Sequence, residues 1–350
     1  MSQFKNKIPG LVLCLVMGIG VVAVLYIYSQ KANHRNNPFT RLFPPQFLGL
    51  SKQIELKFNS FYLSGCTKNN IYLGNKTAAA FLLITNYALT DSGHILLSTG
   101  SDIKMSVPDT KLIIDSPDIY ILEGVSPNVL HGTLNNPVMA DLFYQGPHFD
   151  AVSLISKSSL AIRTYDESSK EYMLGKSNFV IGRSVRYPEI LMKRGDGLFS
   201  LDGLLLKDSF TGQLVYVYFY RNEFISMDSN MHVLLRGKTI DSIHTPQLKV
   251  TSIVSEGTIT LSSPPLFVNK AACADSGFLF VNSGLMAKNE DEEDFSKNSV
   301  IDIYSLKNGE YVYSFYVPDE QHGKLKSFAV SNHHLIGLYD HTLITFKMNF

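Results

Sequence analysis

Val300-Ile301-Asp302-Ile303-Tyr304-Ser305-Leu306, then Lys307-Asn308-Gly309-Glu310, then Tyr311 to Val317 (YVYSFYV), is the clearest hairpin in the chain. Asn-Gly between two runs rich in β-branched and aromatic residues is the strongest short-range hairpin signal, because the turn positions favour positive φ. Pro318 closes the second strand, since it has no N–H to give to a ladder. A second block reads in the same way. Leu198 to Leu206 leads to a turn at Thr211-Gly212 and then to Leu214-Val215-Tyr216-Val217-Tyr218-Phe219-Tyr220, followed by Phe224 to Met227 and His232 to Leu235. Near the start, Tyr62 to Gly65 and Ile71 to Gly74 flank a polar turn at Lys68-Asn69-Asn70, and Phe81 to Thr85 and Ile95 to Ser98 continue the series.

The blocks share one grammar: an apolar strand, a polar turn, a more hydrophobic strand, then an outer strand rich in Tyr and Phe. They begin near residues 58, 111, 149, 198, 265 and 325. The spacing of roughly 40 to 60 residues is too uneven for a strict repeat such as WD40. It fits an all-β propeller of six blades, each a four-stranded sheet. Seven blades is the alternative count, and a pair of β-sandwiches the alternative fold. The last block, Leu325 to Met348, is one strand short. In residues 52 to 58, Gln53, Glu55 and Lys57 alternate with Ile54, Leu56 and Phe58, a period-two pattern with one apolar face. This segment is expected to pair with the strand near Leu343 to Met348 and close the ring.

Ahead of the propeller, Ile8 to Tyr28 (IPGLVLCLVMGIGVVAVLYIY) is one unbroken apolar run. About 20 such residues make a helix long enough to cross a bilayer. The run ends Tyr26-Ile27-Tyr28-Ser29-Gln30-Lys31, without the small residues of a signal cleavage site, and Tyr26 and Tyr28 stand where interfacial aromatics belong. The chain therefore divides into an uncleaved anchor (1–30), a Pro-containing linker (31–50) and a propeller-like domain (51–350). Lys5 and Lys7 precede the span and Lys31, Arg35 and Arg41 follow it. The order of a short tail, a span and a large domain places the β domain on the periplasmic or extracellular side. A cytoplasmic-facing domain, or cleavage to a periplasmic form, is the alternative. Pro38, Pro44 and Pro45 make the linker a stiff tether that can be trimmed at little cost.

Composition narrows the function. Lys+Arg and Asp+Glu are both 31 and the formal net charge is zero, without the basic excess that nucleic-acid binding requires. A hydrophobic fraction of 45% is enough for a substantial core. Three cysteines are too few for a disulfide framework; Cys14 lies in the apolar run, while Cys66 and Cys273 either pair or remain separate buried thiols. No cysteine or histidine grouping has metal-site spacing, and the adjacent His333 and His334 point to opposite faces of a strand. No cofactor motif, HExxH, GxSxG or P-loop occurs. Arg194-Gly195-Asp196 reads as part of a turn, and Glu290 to Asp294 as a solvated acidic loop.

The richest polar stretch is Tyr220-Arg221-Asn222-Glu223 with Arg236-Gly237-Lys238-Thr239. Arg221, Asn222 and Arg236, with Asp202 and Asp241, are the candidate ligand-binding residues. Guanidinium groups facing a channel suit a carboxylate or phosphate. In the competing reading the two arginines pair with Asp202 or Asp241 at strand ends.

The run Phe58 to Asn75, the block from Gly197 through Arg221-Asn222 to Arg236-Gly237-Lys238-Thr239-Ile240-Asp241, and the ending IDIYSLKNGEYVYSFYVP resemble a group of uncharacterised, membrane-anchored, propeller-like proteins of Bacteroidetes-type bacteria. The resemblance implies a propeller-like fold and an envelope address, and brings no activity, substrate or functional residue. Two functions stand against each other. One is a binding or interaction module in the cell envelope, taking an envelope protein or a small ligand. The other is a propeller enzyme, a hydrolase or lyase, with a polar site at the central channel. Removing residues 1 to 30 is expected to release a soluble β domain; a fragment that stays with membranes after a high-salt wash would demand a second membrane contact.

Overall fold

The structure, a computed structural model, describes residues 8–34, 37–99, 109–195, 198–253, 258–319 and 323–349. Helix α1 (Ile8–His34) comes first, then strand β1 (Leu48–Glu55). Blade one is β2 (Phe61–Cys66), β3 (Asn70–Asn75), β4 (Phe81–Asn86) and β5 (Ser92–Leu96). The short β6 (Ser98–Thr99) pairs in parallel with the outer strand of blade two, which is β7 (Thr110–Asp115), β8 (Asp118–Glu123), β9 (Asn128–Thr133) and β10 (Val138–Asp141). Blade three is β11 (Ala151–Ser156), β12 (Ser159–Asp166), β13 (Glu171–Asn178) and β14 (Arg183–Tyr187). Blade four is β15 (Gly203–Lys207), β16 (Leu214–Tyr218), β17 (Glu223–Met227) and β18 (Val233–Lys238). A separate hairpin, β19 (Val250–Ile253) with β20 (Thr258–Leu261), is inserted before blade five, which is β21 (Asn269–Asp275), β22 (Phe278–Ser283), β23 (Asn298–Ser305) and β24 (Tyr311–Pro318). Helix α2 (Glu292–Lys297) lies between β22 and β23. Blade six is β25 (Ser327–Ser331), β26 (His334–Leu338) and β27 (Thr342–Met348), completed by β1.

The fold is thus the six-bladed all-β propeller expected from the sequence, and the inner strands start within a few residues of the expected block starts. One expected strand differs: Leu198–Leu201 is a 3-10 turn, and the inner strand of blade four begins only at Gly203. The Asn-Gly hairpin joins β23 to β24, but only Gly309 takes a positive φ, 77°. Its N–H bonds the Ser305 carbonyl at 2.8 Å while the Ser305 N–H reaches the Glu310 carbonyl at 2.9 Å. The longer loop needs one left-handed residue rather than two.

Ring closure follows the expected pairing with the strand near Leu343 to Met348, but the closing strand is Leu48–Glu55 rather than residues 52 to 58. β1 runs antiparallel to β27, with Lys52 opposite Thr345, Gln53 opposite Ile344, Ile54 opposite Leu343 and Glu55 opposite Thr342. The pairing removes the open edge that β27 would otherwise present. Period-two alternation then fills the spaces between blades. On β16, Leu214, Tyr216 and Tyr218 face the cluster shared with blade three, whereas Val215 and Val217 face the cluster shared with blade five. Six such clusters occupy the six interblade spaces. Both faces of a middle strand are buried, which is why these strands read as nearly continuous apolar runs.

Two expectations, about the N-terminal linker and the acidic run, change. First, residues 37–47 are not a free tether: they lie along blade five. The Asn37 side chain donates to the Met286 carbonyl at 2.8 Å, Lys288 N–H to the Phe39 carbonyl at 2.9 Å and Ser314 N–H to the Leu42 carbonyl at 2.8 Å. Phe43 stacks on Tyr316, and the Phe47 ring lies tilted against Phe315. Second, Glu290 of the acidic run is turned inward. Arg41 is fully buried, with Nε 2.7 Å and Nη2 3.0 Å from the two Asp302 oxygens, and Nη1 bonded to Glu290 and to the Leu285 carbonyl. The Ser314 hydroxyl also donates to Asp302 Oδ1, and the Tyr316 hydroxyl to the remaining Glu290 oxygen. Burial by itself would lower the Arg41 pKa, but Asp302 and Glu290 hold it raised. Asp291 keeps to the surface as the N-cap of α2.

Of α1, the side chains of residues 12–25 are described, and all are exposed. Among the described residues no helix is long and apolar enough to cross a membrane. Anchoring through residues 8–28 therefore rests on the sequence pattern.

Removing one partner of a buried, hydrogen-bonded charge group leaves the others uncompensated, at about 3–5 kcal/mol. Arg41→Met is expected to destabilise the protein by that order in urea unfolding followed by near-ultraviolet circular dichroism, and trimming residues 31–45 is expected to do the same. A loss under about 1 kcal/mol, the worth of an exposed ion pair, would show that the propeller does not depend on this contact.

Candidate functional site

In each blade the start of the inner strand, the turn between the second and third strands and the end of the outer strand share one face of the ring. On this face, four blades converge on a concave mouth of about 560 Å³. Tyr62 and Leu63 come from β2, Lys76 from the turn after β3, and Asp109 to Lys111 from the start of β7. Gly124 and Val125 come from the turn after β8, Phe149 and Asp150 precede β11, and Ser327 and Phe328 open β25. Below it, a channel of about 310 Å³ is lined by the inner strands of all six blades. Leu63, Lys111 and Phe328 line both spaces, so Lys111 stands at the neck where the mouth narrows into the channel.

The Lys111 side chain is open to the mouth but ringed by protein, and its surroundings hold the amine below the ordinary lysine range by desolvation. Nζ is 3.3 Å from the Val152 carbonyl. The Tyr62 hydroxyl accepts the Leu112 N–H at 2.7 Å, and burial raises its pKa. Asp150, on the rim, is clamped from behind. Arg163 Nε lies 2.8 Å from its Oδ1 and Nη2 2.5 Å from its Oδ2. Nη1 of the same arginine reaches Asp202 at 2.9 Å, the Leu201 carbonyl at 3.1 Å and the Tyr216 hydroxyl at 3.2 Å. The guanidinium also faces the Tyr172 ring at 4.7 Å. One cation thereby fixes the rim aspartate and ties blade three to blade four. Gly124 makes room for the rim: a Cβ there would fall 1.9 Å from the Phe149 carbonyl oxygen, while Phe149 N–H bonds the Gly124 carbonyl at 3.1 Å.

The residues singled out from the sequence do not meet at the channel. Arg221 is buried in the turn between β16 and β17, where Nη2 donates to the Met192 carbonyl at 2.5 Å and the guanidinium stacks 3.6 Å above the Tyr218 ring. Its Nε is 2.8 Å from Glu223 Oε2. The N–H is not aimed at that oxygen, and neither Nε nor Nη1 makes a hydrogen bond. Burial lowers its pKa despite Tyr218 and Glu223. Asn222 is buried with its amide on the Asp241 carbonyl at 2.7 Å and its oxygen 2.9 Å from His244 Nδ1. Arg236, on the outermost strand of blade four, holds the Ile190 and Glu189 carbonyls. Asp241 accepts the Thr239 hydroxyl and the Ile243 N–H. Its pKa is raised by burial. Asp202 alone approaches the mouth, through Arg163, and burial raises its pKa too. The two arginines take backbone carbonyls of residues 189–192 instead of Asp202 or Asp241; they fasten the segment between blades three and four.

Cys66 and Cys273 line the lower channel as separate thiols. Burial pushes Cys66 up to about 12 and Cys273 well above its ordinary value. Among the described residues no His, Cys, Asp and Glu grouping is arranged to hold a metal ion. Arg194 pairs with Glu223 at 2.6 Å, and Asp196 lies outside the described residues.

No family model matches the sequence, and no curated protein matches it. Solved structures do. A member of the DUF4221 family from Bacteroides vulgatus is 12% identical with a TM-score of 0.54, over 90% of this chain and 99% of that one. A streptogramin B lyase is 9% identical with a TM-score of 0.51, over 87% and 100%. A protein described as exported, from Bacteroides fragilis, is 9% identical with a TM-score of 0.50, over 89% and 98%. At these identities the likeness is one of fold. It agrees with the resemblance to Bacteroidetes-type propellers at that level.

A lysine whose folded pKa lies below its unfolded value gives up its proton earlier in the folded state. Between the two values the unfolded chain binds more protons, so stability rises with pH. Unfolding of the wild type and Lys111→Met across the alkaline range is expected to show this rise in the wild type and a weaker one in the variant. Identical slopes would mean that Lys111 is solvated like any surface lysine.

Proposed function

We propose that the protein is a membrane-anchored propeller of the cell envelope that binds a small ligand at the mouth of its central channel, with α1 as the anchor and the β domain on the periplasmic or extracellular side. The observation that carries this reading is the amine of Lys111 at the neck of a roomy mouth walled by Tyr62, Phe149 and Phe328. Concave sites with apolar walls and a few convergent polar groups are where small ligands are held. A desolvated ammonium favours an anionic group, and the aromatic walls favour an apolar body beside it. Rim Asp150, held by Arg163, fixes which way such a ligand faces. The anchor reading is supported by the length of the apolar run and its flanking tyrosines, and the kinship with membrane-anchored Bacteroidetes-type propellers by the motifs that suggest it.

N-acetylphenylalanine, with a carboxylate beside an aromatic ring, is a fitting probe, and its neutral amide the control. In calorimetric titration of the detergent-solubilised full chain the acid is expected to bind and the amide to bind more weakly. A charge-assisted contact contributes about 1.5–3 kcal/mol, so Lys111→Met is expected to reduce affinity for the acid about tenfold or more. Affinity should also fall on the alkaline side at a lower pH than an ordinary lysine would give. Equal binding of acid and amide, or an unchanged affinity in the variant, would remove Lys111 from the site and with it this reading.

A further inference from the structure

The chain enters the propeller on the mouth face. Asn37, Phe39 and Arg41 are bonded to residues 286–289, in the segment between the second and third strands of blade five, and that segment lies on the same face as the mouth. Only residues 35 and 36 separate this docked strap from the end of α1 at His34. The linker is therefore far shorter than the Pro-containing segment read from the sequence.

The same face carries large apolar side chains that the described residues leave partly or largely exposed. Phe58 is 53% exposed, Val125 58%, Phe143 77%, Met192 51%, Leu266 41% and Phe267 37%. All six lie in turns or interblade segments at the mouth end. Phe143 is held at φ 50°, a left-handed conformation that bulky residues rarely adopt, with its N–H fixed on Asp141 Oδ1 at 2.8 Å. Its ring is thereby presented to solvent rather than folded back.

We infer that the mouth face of the propeller lies against the lipid surface, with these apolar side chains in the interfacial layer and the ligand mouth opening toward the membrane. The inference rests on the reading of α1 as the anchor. Its 27 residues make a helix of about 40 Å, of which Ile8 to Tyr28 fills the hydrocarbon core of about 30 Å. Ser29 to His34 adds about 9 Å, and the step from His34 to Asn37 at most about 11 Å. The strap thus starts within about 20 Å of the hydrocarbon edge even when stretched. So short a tether keeps this face, and no other, at high effective concentration beside the headgroups. Exposed aromatic and aliphatic side chains on that face then exchange water for the apolar boundary of the bilayer. The mouth would accordingly take its ligand from the interfacial layer.

The chain has no tryptophan, so single replacements are clean reporters. Val22→Trp in α1, Phe58→Trp and Phe143→Trp on the mouth face, and Phe210→Trp in the turn between β15 and β16 on the opposite face are each made in the full chain. Each is reconstituted in vesicles of phosphatidylcholine and phosphatidylglycerol, with or without brominated acyl chains. Phe210 is 80% exposed and serves as the matched control. The expected result is strong quenching at Val22, shallow quenching severalfold above the control at Phe58 and Phe143, and none at Phe210. Quenching at Val22 with Phe58 and Phe143 no different from Phe210 would overturn the docked face while leaving the anchor intact. Equal quenching of all three propeller positions would overturn the choice of face. Absence of quenching at Val22 would overturn the anchor, and the inference with it.

Discussion

The antiparallel pairing of β1 with β27 is the contact on which the rest of the ring depends. Every blade is stable only between two neighbours, because both faces of its middle strands are apolar and must be covered. A chain that merely stopped at β27 would leave that strand's edge unpaired and the space between blades six and one poorly sealed. The strand from the beginning of the domain supplies the missing edge, and Leu56, next to its end, joins Phe61, Ile71 and Leu343 in the cluster that fills that space. The circumference is fixed by this closure, and so are the positions of the inner strands around the axis. The mouth and the channel inherit their dimensions from it.

Closure also explains the buried charge beside it. To reach β1 from the mouth face, residues 37–47 must run the height of the outer edge of blade five. Arg41 crosses into the interior there because Asp302 and Glu290 offer it three oxygens, and the Ser314 and Tyr316 hydroxyls share the load. Desolvation of a guanidinium is expensive; two carboxylates in bidentate and single contact, with the Leu285 carbonyl, offset it. Arg163 repeats this logic between blades three and four with Asp150 and Asp202. Arg221 does not. Its burial is compensated by an imperfectly aimed Glu223, a carbonyl and the face of Tyr218, which accounts for a lowered pKa where the other two are raised.

The axis of the ring mixes polar and apolar groups along its length. At the mouth, amine, carboxylate and hydroxyl groups stand beside three aromatic rings. Deeper, Ile113, Val152, Leu154 and Leu205 are interspersed with Asp115, Lys207 and Asp275 and with the two thiols, whose raised pKa values keep the thiols protonated and unreactive at neutral pH. The mouth-face strap and the short connection to α1 place this polar entrance on the side from which the chain arrives.

The sequence by itself determined the strand-and-turn grammar, the count of six blades and the segment that closes the ring. Those properties follow from period-two apolarity, from turn residues such as Asn308-Gly309 and from the alternation of Ile54 and Leu56 with Gln53 and Glu55, all of which are local. It also marked α1 by its apolar length. The site was hidden. Arg221, Asn222, Arg236 and Asp241 are close in sequence and conspicuous, yet they lie in turns and on an outer strand, where they bond backbone carbonyls and near neighbours, Arg221 through Nη2 alone. Tyr62, Lys111 and the adjacent pair Phe149 and Asp150 are drawn from three different blades, and a lone lysine at the head of an otherwise apolar strand was the one local sign. Arg41 was read as part of a tether because its partners stand about 250 residues further along. Convergence on an axis depends on which strand is innermost and on where the ring closes. Only the tertiary structure decided those points, because they are fixed by the packing of whole blades rather than by any neighbouring residues in the chain.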